Sequence, residues 1–404
     1  MSLNEEILRL AGELEPYVID CRRTIHTYAE VASHEDKTKA LIIREAEALG
    51  LPYEEVPVTS VIAELDTGRP GKVVALRADI DALPMAECET NLTGPRTCRS
   101  GQPDTCHACG HDAHAAMLLG AMRLLTALRD RLCGKVLFCF EEGEEINSGV
   151  KPLLDALEKY HVDRCWAIHT YADLEEGKLS IDPGPRMAGG TPVALRFIGQ
   201  AGHGSRPDLA VNPVFCGASF LNNLCAAFSN QIPAGQTVTM GITVFRGGDA
   251  YNIISDTAEI EGSFRFFDME AGRKAVEAYR RTAEHTAAIF GCQVEILKGG
   301  EAPSGPGRGC GPVINDEACA AAARAALEPL LPAGTLVSCE PWYAGECYCW
   351  WLERYPGVLA LLGIRNREEG YGAPHHHDRF DLNEKVLKTG VAATASYAAQ
   401  WLAL

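Results

Sequence analysis

The chain has no apolar run long enough to cross a membrane, no basic surplus, and no repeat or low-complexity tract. A transmembrane helix needs about 18 or more consecutive apolar residues, so none is expected. The first 24 residues carry Glu5, Glu6, Glu13 and Glu15 and no apolar stretch of signal length, so no secretory leader is expected. Lys and Arg number 37 against 54 Asp and Glu, a formal net charge of −17. Phosphate binding needs a basic face, so nucleic acid and anionic membrane surfaces are not expected partners. Sixteen cysteines are spread over 404 residues rather than set in a short stapled framework. They read as free thiols and small core residues in a reducing compartment, and the expected location is the cytoplasm.

Hydrophobic content of 47% and charged content of 23% are those of an ordinary globular protein, and the length allows two domains. Helices are predicted over 5–28 and 37–49. Val73-Val74-Ala75-Leu76-Arg77 and Lys135-Val136-Leu137-Phe138-Cys139-Phe140 read as buried strands. A helix over 115–132, with Asp112 near its cap, separates them, and another starts at Val150. Strand, loop and helix in alternation predict an α/β fold with a mainly parallel sheet, whose ligands sit at the carboxyl ends of strands. From Gly184-Pro185 the texture changes. Strands at 192–198, 237–245, 257–267 and 294–297 with helices at 212–230 and 271–290 make a βαββαβ order, that of an α+β ferredoxin-like domain. A Gly/Pro-rich linker spans 299–312, and a final helix spans 384–402. The expected organisation is a catalytic domain of 1–186 plus 300–404, interrupted by an inserted lid or dimerisation domain at 187–299.

Cys106-His107-Ala108-Cys109-Gly110-His111-Asp112-Ala113-His114 concentrates thiol, imidazole and carboxylate in nine residues. Those are the side chains that bind zinc and similar divalent ions, here at a helix start that would hold them rigidly. Glu144 and Glu145 follow a strand, and a glutamate beside a ligand carboxylate can serve a metal-activated water as general base. Glu141 and Glu142 read as surface charges of the same acidic turn.

The chain resembles the amidohydrolase branch of the dimetal aminoacylase and carboxypeptidase family, which includes hippurate and auxin-conjugate hydrolases. The matching pieces are Arg77-Ala78-Asp79-Ile80-Asp81-Ala82-Leu83-Pro84, His107 to Asp112, Glu144-Glu145, Ile168-His169 and Gly202-His203-Gly204. Gly247-Gly248 with Tyr251-Asn252-Ile253-Ile254, and His376 near Phe380, complete the set. The resemblance implies two divalent ions per subunit, zinc or manganese first, with cobalt or nickel also suited. It implies Cys109, His111, Glu145, His169 and His376 as their ligands, with His375 an off-by-one alternative in the His375-His376-His377 triplet. It further implies Glu144 as general base and Asp81 as the aspartate that orients a ligand. Asp79 is then structural, standing where peptidase branches carry a histidine ligand. His107 and His114 would flank the site. A homodimer would form through the inserted domain, His203 reaching the partner's site to stabilise the oxyanion. Asn252 and Arg265 would bind the substrate's free carboxylate.

The expected activity is hydrolysis of the amide bond of an N-acyl amino acid. A dipeptide or aminobenzoyl-glutamate-type substrate is the alternative within the family. A non-catalytic zinc protein built on Cys98, Cys106, Cys109 and a histidine is the alternative outside it. Several positions depart from the family: Asp208 after Pro207, Ser255 after Asn252, and Glu346-Cys347-Tyr348. So do Cys88, Cys98 and Cys106, whose role the sequence leaves open. Trp342, Tyr343, Tyr348, Trp350 and Trp351 could line an acyl pocket, although core packing explains most of them better.

Overall fold

The computed structural model describes residues 2–301 and 309–403, so the middle of the expected linker at 299–312 lies outside the described residues. The chain forms two compact units. One comprises Met1–Gly184, Ile314–Glu340 and Trp350–Leu404; the other comprises Pro185–Val313 and Pro341–Cys349. These exchange points differ from the expected 186/187 and 299/300. The reason is backbone pairing within the second unit: Cys310 exchanges two backbone hydrogen bonds with Gly190, and the Trp342 N–H donates to the Arg186 carbonyl at 2.8 Å. Those bonds tie residue 310 to the strand Gly189–Ile198 and residue 342 to the preceding strand Gly184–Met187.

The first unit is an α/β domain on a seven-stranded mixed sheet. Its order is Tyr53–Val56, Ser60–Asp66, Lys135–Glu141, Val73–Asp79, Arg164–Glu175, Gly357–Arg365 and Leu179–Ser180. The sheet is less parallel than expected. The inner pairings are parallel, while the outer strands pair antiparallel. The central strands are apolar along their whole length because helices cover both faces, and they bury nearly every residue. Trp166 anchors this core. It stacks on Tyr397 at 4.7 Å, and its indole N–H donates to Thr394.

Three local expectations are corrected. The helix expected over 5–28 is two helices, Leu3–Glu13 and Glu15–Tyr28, because Pro16 cannot donate within a continuous helix and instead sits in the first turn of the second. The helix after the metal-rich stretch is His111–Ala127, capped by Gly110 with φ +87° rather than by Asp112. Asp112 lies inside that helix, its carboxylate taken by Arg22 at 2.7 Å and His26 at 2.8 Å. Glu141 and Glu142 are buried rather than surface charges. Glu141 accepts from Arg77 and from the Trp351 indole, each at 2.7 Å, and Glu142 accepts from Ser33 and Ser148. Trp351 and Tyr348 are core residues.

The second unit is a four-stranded antiparallel sheet in the order Val238–Gly247, Thr257–Phe266, Gly189–Ile198 and Gln293–Lys298. Helices Pro213–Gln231 and Met269–Phe290 pack against it around Phe197, Phe220, Phe264 and Tyr279.

Arg77 donates to Asp79 at 2.8 Å and to Glu141 at 2.7 Å, all three buried. Arg77→Leu leaves two buried carboxylates without their cation. It is expected to cost about 3–5 kcal/mol in urea unfolding of the metal-free protein; a loss under about 1 kcal/mol would contradict the pairing.

Candidate active site

Asp81 follows the central strand Val73–Asp79 and is buried. Its two oxygens do different jobs. Oδ1 accepts from His111 Nδ1 at 2.9 Å, and Oδ2 accepts the Glu145 backbone N–H at 3.1 Å. One carboxylate therefore positions two candidate ligands from different elements. With its Nδ1–H held by Asp81, a neutral His111 would present the Nε2 lone pair to a cation, while without one Asp79, Cys109 and Asp81 favour the charged ring. That Nε2 is buried with no hydrogen-bond partner among the described residues, 3.9 Å from Glu145 Oε1, which is likewise unpartnered by hydrogen-bond geometry.

His169 lies in the strand Arg164–Glu175, where its Nδ1–H donates to the Thr170 carbonyl at 2.6 Å. Its Nε2 faces Cys109 Sγ at 3.8 Å. His376 Nε2 comes within 3.2 Å of Glu145 Oε1. His376 adopts φ +62°, a conformation rare outside glycine, and its N–H donates to the Ala108 carbonyl at 2.9 Å. Cys109, His111 and Glu145 converge with ligand atoms within 4.8 Å of one another. Gly110 makes the approach possible, since a Cβ there would lie 2.4 Å from Thr170 Oγ1. Buried imidazole, thiol and carboxylate groups whose ligand atoms face one another are what a cation satisfies in place of their protons, so the residues present fit divalent ions.

The electrostatics follow from burial. Burial pushes the Cys109 thiol well up and His169 well below its ordinary range. Burial opposes charge on His111 too, but Asp79, Cys109 and Asp81 hold its pKa well above the ordinary value. Burial would raise Glu145, yet His376 and His111 hold it below its ordinary value.

Two neighbours of this centre are already engaged. His114 Nδ1–H donates to Asp79 at 2.6 Å, and its Nε2 accepts the Thr170 N–H at 2.9 Å. The other Asp79 oxygen takes Arg77. His114 therefore has no lone pair left for the centre, whereas Asp79 keeps unused acceptor capacity and lies with His111, His114 and His169 in a second group of side chains within ligand reach. His375 Nε2 accepts the Ala172 N–H at 3.2 Å. His107 is buried at the helix start with neither ring nitrogen bonded among the described residues. No three-ligand group includes Cys98 or Cys106, so the closed thiolate zinc site finds no geometric support among the described residues.

Glu144 is buried in the 3₁₀ turn Glu144–Ile146, beside Glu145. That turn is held by Glu35, a residue the sequence reading did not single out. Glu35 Oε1 accepts the Gly143 N–H at 3.0 Å, and Thr59 donates to Oε2. Its only signal is a glutamate just before the helix Asp36–Ala48, more than 100 residues from its partner.

His203, Asn252 and Arg265 belong to the second unit. His203 and Asn252 are brought together, because Gly202–His203 pairs with Ile253–Ile254 and the Gly204 N–H donates to the Asn252 carbonyl at 2.8 Å. Arg265 is placed separately, on the strand Thr257–Phe266 opposite Gly190. His203 Nδ1 accepts from the Ser205 N–H and lies 2.7 Å from Ser205 Oγ, which leaves the ring proton on the exposed Nε2.

An α/β domain with buried imidazole, thiol and carboxylate groups gathered at its strand ends, beside the buried Glu144, has the chemistry of a metal-dependent hydrolase. The sequence matches Peptidase family M20/M25/M40 over residues 75–400, and the chain belongs to that family. It is 33% identical to thermostable carboxypeptidase 1 of Saccharolobus solfataricus, covering 99% of each chain. It is also 33% identical to an N-acetylcysteine deacetylase of Bacillus subtilis, over 92% of this chain and 93% of the relative. A dinuclear metal binding peptidase of the same family from Bacillus subtilis superposes with a TM-score of 0.80 at 30% identity, covering 96% of this chain and 98% of that one. The chain is a metal-dependent hydrolase acting on amide bonds.

Burial pushes the Glu35 carboxyl up to about 7, and Thr59 and the Gly143 N–H only partly offset it. A folded pKa above the unfolded value means stability is present in acid and is lost as pH rises from the unfolded pKa toward 7. Between pH 5 and 8 the metal-free protein should lose about 2–3 kcal/mol on this account, and Glu35→Gln should not. Urea unfolding of both proteins at the two pH values checks this. Equal pH dependence in the two would contradict it.

Proposed function

We propose that the protein is an N-acyl amino acid amidohydrolase with two divalent ions per subunit. Cys109, His111, Glu145, His169 and His376 would hold them with thiolate, imidazole and carboxylate donors. The observation that carries this reading is the convergence of the His111 and His169 lone pairs, Cys109 Sγ and the unpartnered Glu145 oxygen beside Glu144. Of the adjacent histidines, His376 rather than His375 is assigned as ligand, because the His375 Nε2 lone pair is spent on the Ala172 N–H. When bound, the ions supply Lewis acidity that polarises the scissile carbonyl and makes water more acidic near neutral pH. The thiolate and imidazole set suits zinc or manganese, and cobalt or nickel as substitutes.

Glu144 acts as the proton carrier. Its carboxylate takes a proton from the attacking water at an Oε atom and returns it to the departing amine nitrogen. Asp81 holds His111 and the Glu145 backbone while this happens, so the ligand geometry does not relax as charge moves. In the dimer His203 would present its Nε2–H to the tetrahedral oxygen in the partner subunit's site, a role supported by the Ser205 contacts at its Nδ1. Asn252 and the Arg265 guanidinium bind the substrate's free carboxylate, which selects N-acyl amino acids over plain amides.

The second unit has the strand order of a ferredoxin-like sandwich, and we assign it as the inserted lid and dimerisation domain. Leu209, Phe215, Tyr251 and Ile253 are exposed on it, at 64, 66, 103 and 57%, and Val238–Gly247 is an open sheet edge. An apolar surface with an unpaired edge supports a homodimer through this unit. All sixteen cysteines are free, which fits the cytoplasm, and no helix among the described residues is long and apolar enough to cross a membrane.

Glu144→Gln is expected to keep its metals and lose about 10²–10⁴-fold in kcat, read by amine release from acetyl and benzoyl amino acids and from dipeptides. Activity within tenfold of wild type would remove Glu144 from the chemistry. Dipeptides preferred over every N-acyl amino acid would instead favour the peptidase alternative. Light scattering of the purified protein at micromolar concentration is expected to give the mass of two chains; a monomer would contradict the dimer.

A further inference from the structure

His375 has the opposite ring polarity from His169. His375 is a neighbour of the assigned ligand His376, and its ring is enclosed, 5.4 Å from the His169 ring and 4.9 Å from the Phe380 ring. Its Nε2 accepts the Ala172 backbone N–H at 3.2 Å. A neutral imidazole that accepts at Nε2 carries its proton on Nδ1. That Nδ1 lies 3.8 Å from Cys109 Sγ, within hydrogen-bond range for sulfur, and the backbone of the same residue is a second hydrogen-bond partner of the ring, so the donor is shared within Cys109. Turning the ring over would put carbon atoms against both the Ala172 N–H and the sulfur, so the backbone donor fixes the orientation.

We propose that His375 is a positioning residue that donates an Nδ1–H hydrogen bond to the Cys109 thiolate and so tunes the donor strength of the sulfur between the two ions. A thiolate shared by two cations and buried from water is satisfied by no solvent. An N–H directed at it draws electron density off the sulfur, which leaves the cations more strongly polarising. His111 and His169 turn lone pairs toward the centre, whereas His375 turns a proton toward it. The Ala172 N–H, which follows His169 and Thr170 on the same strand, couples this donor to the strand that carries a ligand. The inference rests on Cys109 being a metal ligand.

The test uses the full-length protein loaded with cobalt(II), whose sulfur-to-cobalt charge-transfer absorption in the near ultraviolet reports on the thiolate directly. Wild type is expected to show this band. In His375→Phe, which keeps an aromatic ring but has no N–H, the band moves to longer wavelength, because the sulfur electrons are no longer stabilised. His375→Gln, which can restore an N–H, moves it back toward the wild-type position. A wild-type band with an unmoved band in His375→Phe would overturn the role of His375 and leave the metal reading intact. No band in the cobalt-loaded wild type would overturn both, since Cys109 would then not be a ligand. A second measurement needs no substitution beyond one used for assignment: ring ¹⁵N spectra of histidine-labelled wild type, with the His375 signals identified by their loss in His375→Gln. Protonated Nδ1 and unprotonated Nε2 are expected, and the reverse tautomer would overturn the proposal.

Discussion

The site depends first on Asp81. Its carboxylate joins the imidazole of His111, at the start of one helix, to the backbone of Glu145, in a turn after a different strand. Remove that bridge and His111 is free to rotate or change tautomer, and the turn carrying Glu144 and Glu145 loses its tether to the central strand. Other contacts are arranged around this one. Glu35 holds the same turn from the opposite side at Gly143. Arg77 balances the buried Asp79 and Glu141 beneath it.

Proton placement is the second organising feature. His111, His169, His114 and His375 each have one nitrogen committed to a carboxylate or a backbone group, so what the other nitrogen presents to a cation is set by the fold. Asp81 and the Thr170 carbonyl take protons from His111 and His169 and leave lone pairs. The Thr170 and Ala172 N–H groups take lone pairs from His114 and His375. The backbone of one strand, Arg164–Glu175, thus sets the ring polarity of His169, His114 and His375, while Asp81 sets that of His111. Burying these groups costs stability unless the set is completed, and a cation completes it.

Much of this was legible in the sequence because the informative elements are local. The strands Val73–Asp79 and Lys135–Glu141 are continuous apolar runs, and the Cys109 to His114 stretch places ligand types at a helix start without any long-range contact. What was misread depends on partners far along the chain. Glu141 looks like a surface charge until Arg77, 64 residues away, and Trp351, 210 residues away, are seen against it. The choice between His375 and His376 turns on the Ala172 N–H, 203 residues before, and on a left-handed backbone at His376. No periodicity carries either signal. The domain boundaries shifted for a similar reason, since the pairing of Cys310 with Gly190 is a backbone event that composition does not encode.

The central claim is that these side chains hold two ions sharing Cys109. The most direct measurement is an anomalous difference map from crystals of the manganese- or zinc-loaded protein. Two peaks about 3.5–4 Å apart, held by His111, Glu145, His169 and His376 with Cys109 reaching both, are the predicted result. A single peak held by Cys98, Cys106 and Cys109, with Glu145 and His376 turned away, would contradict it.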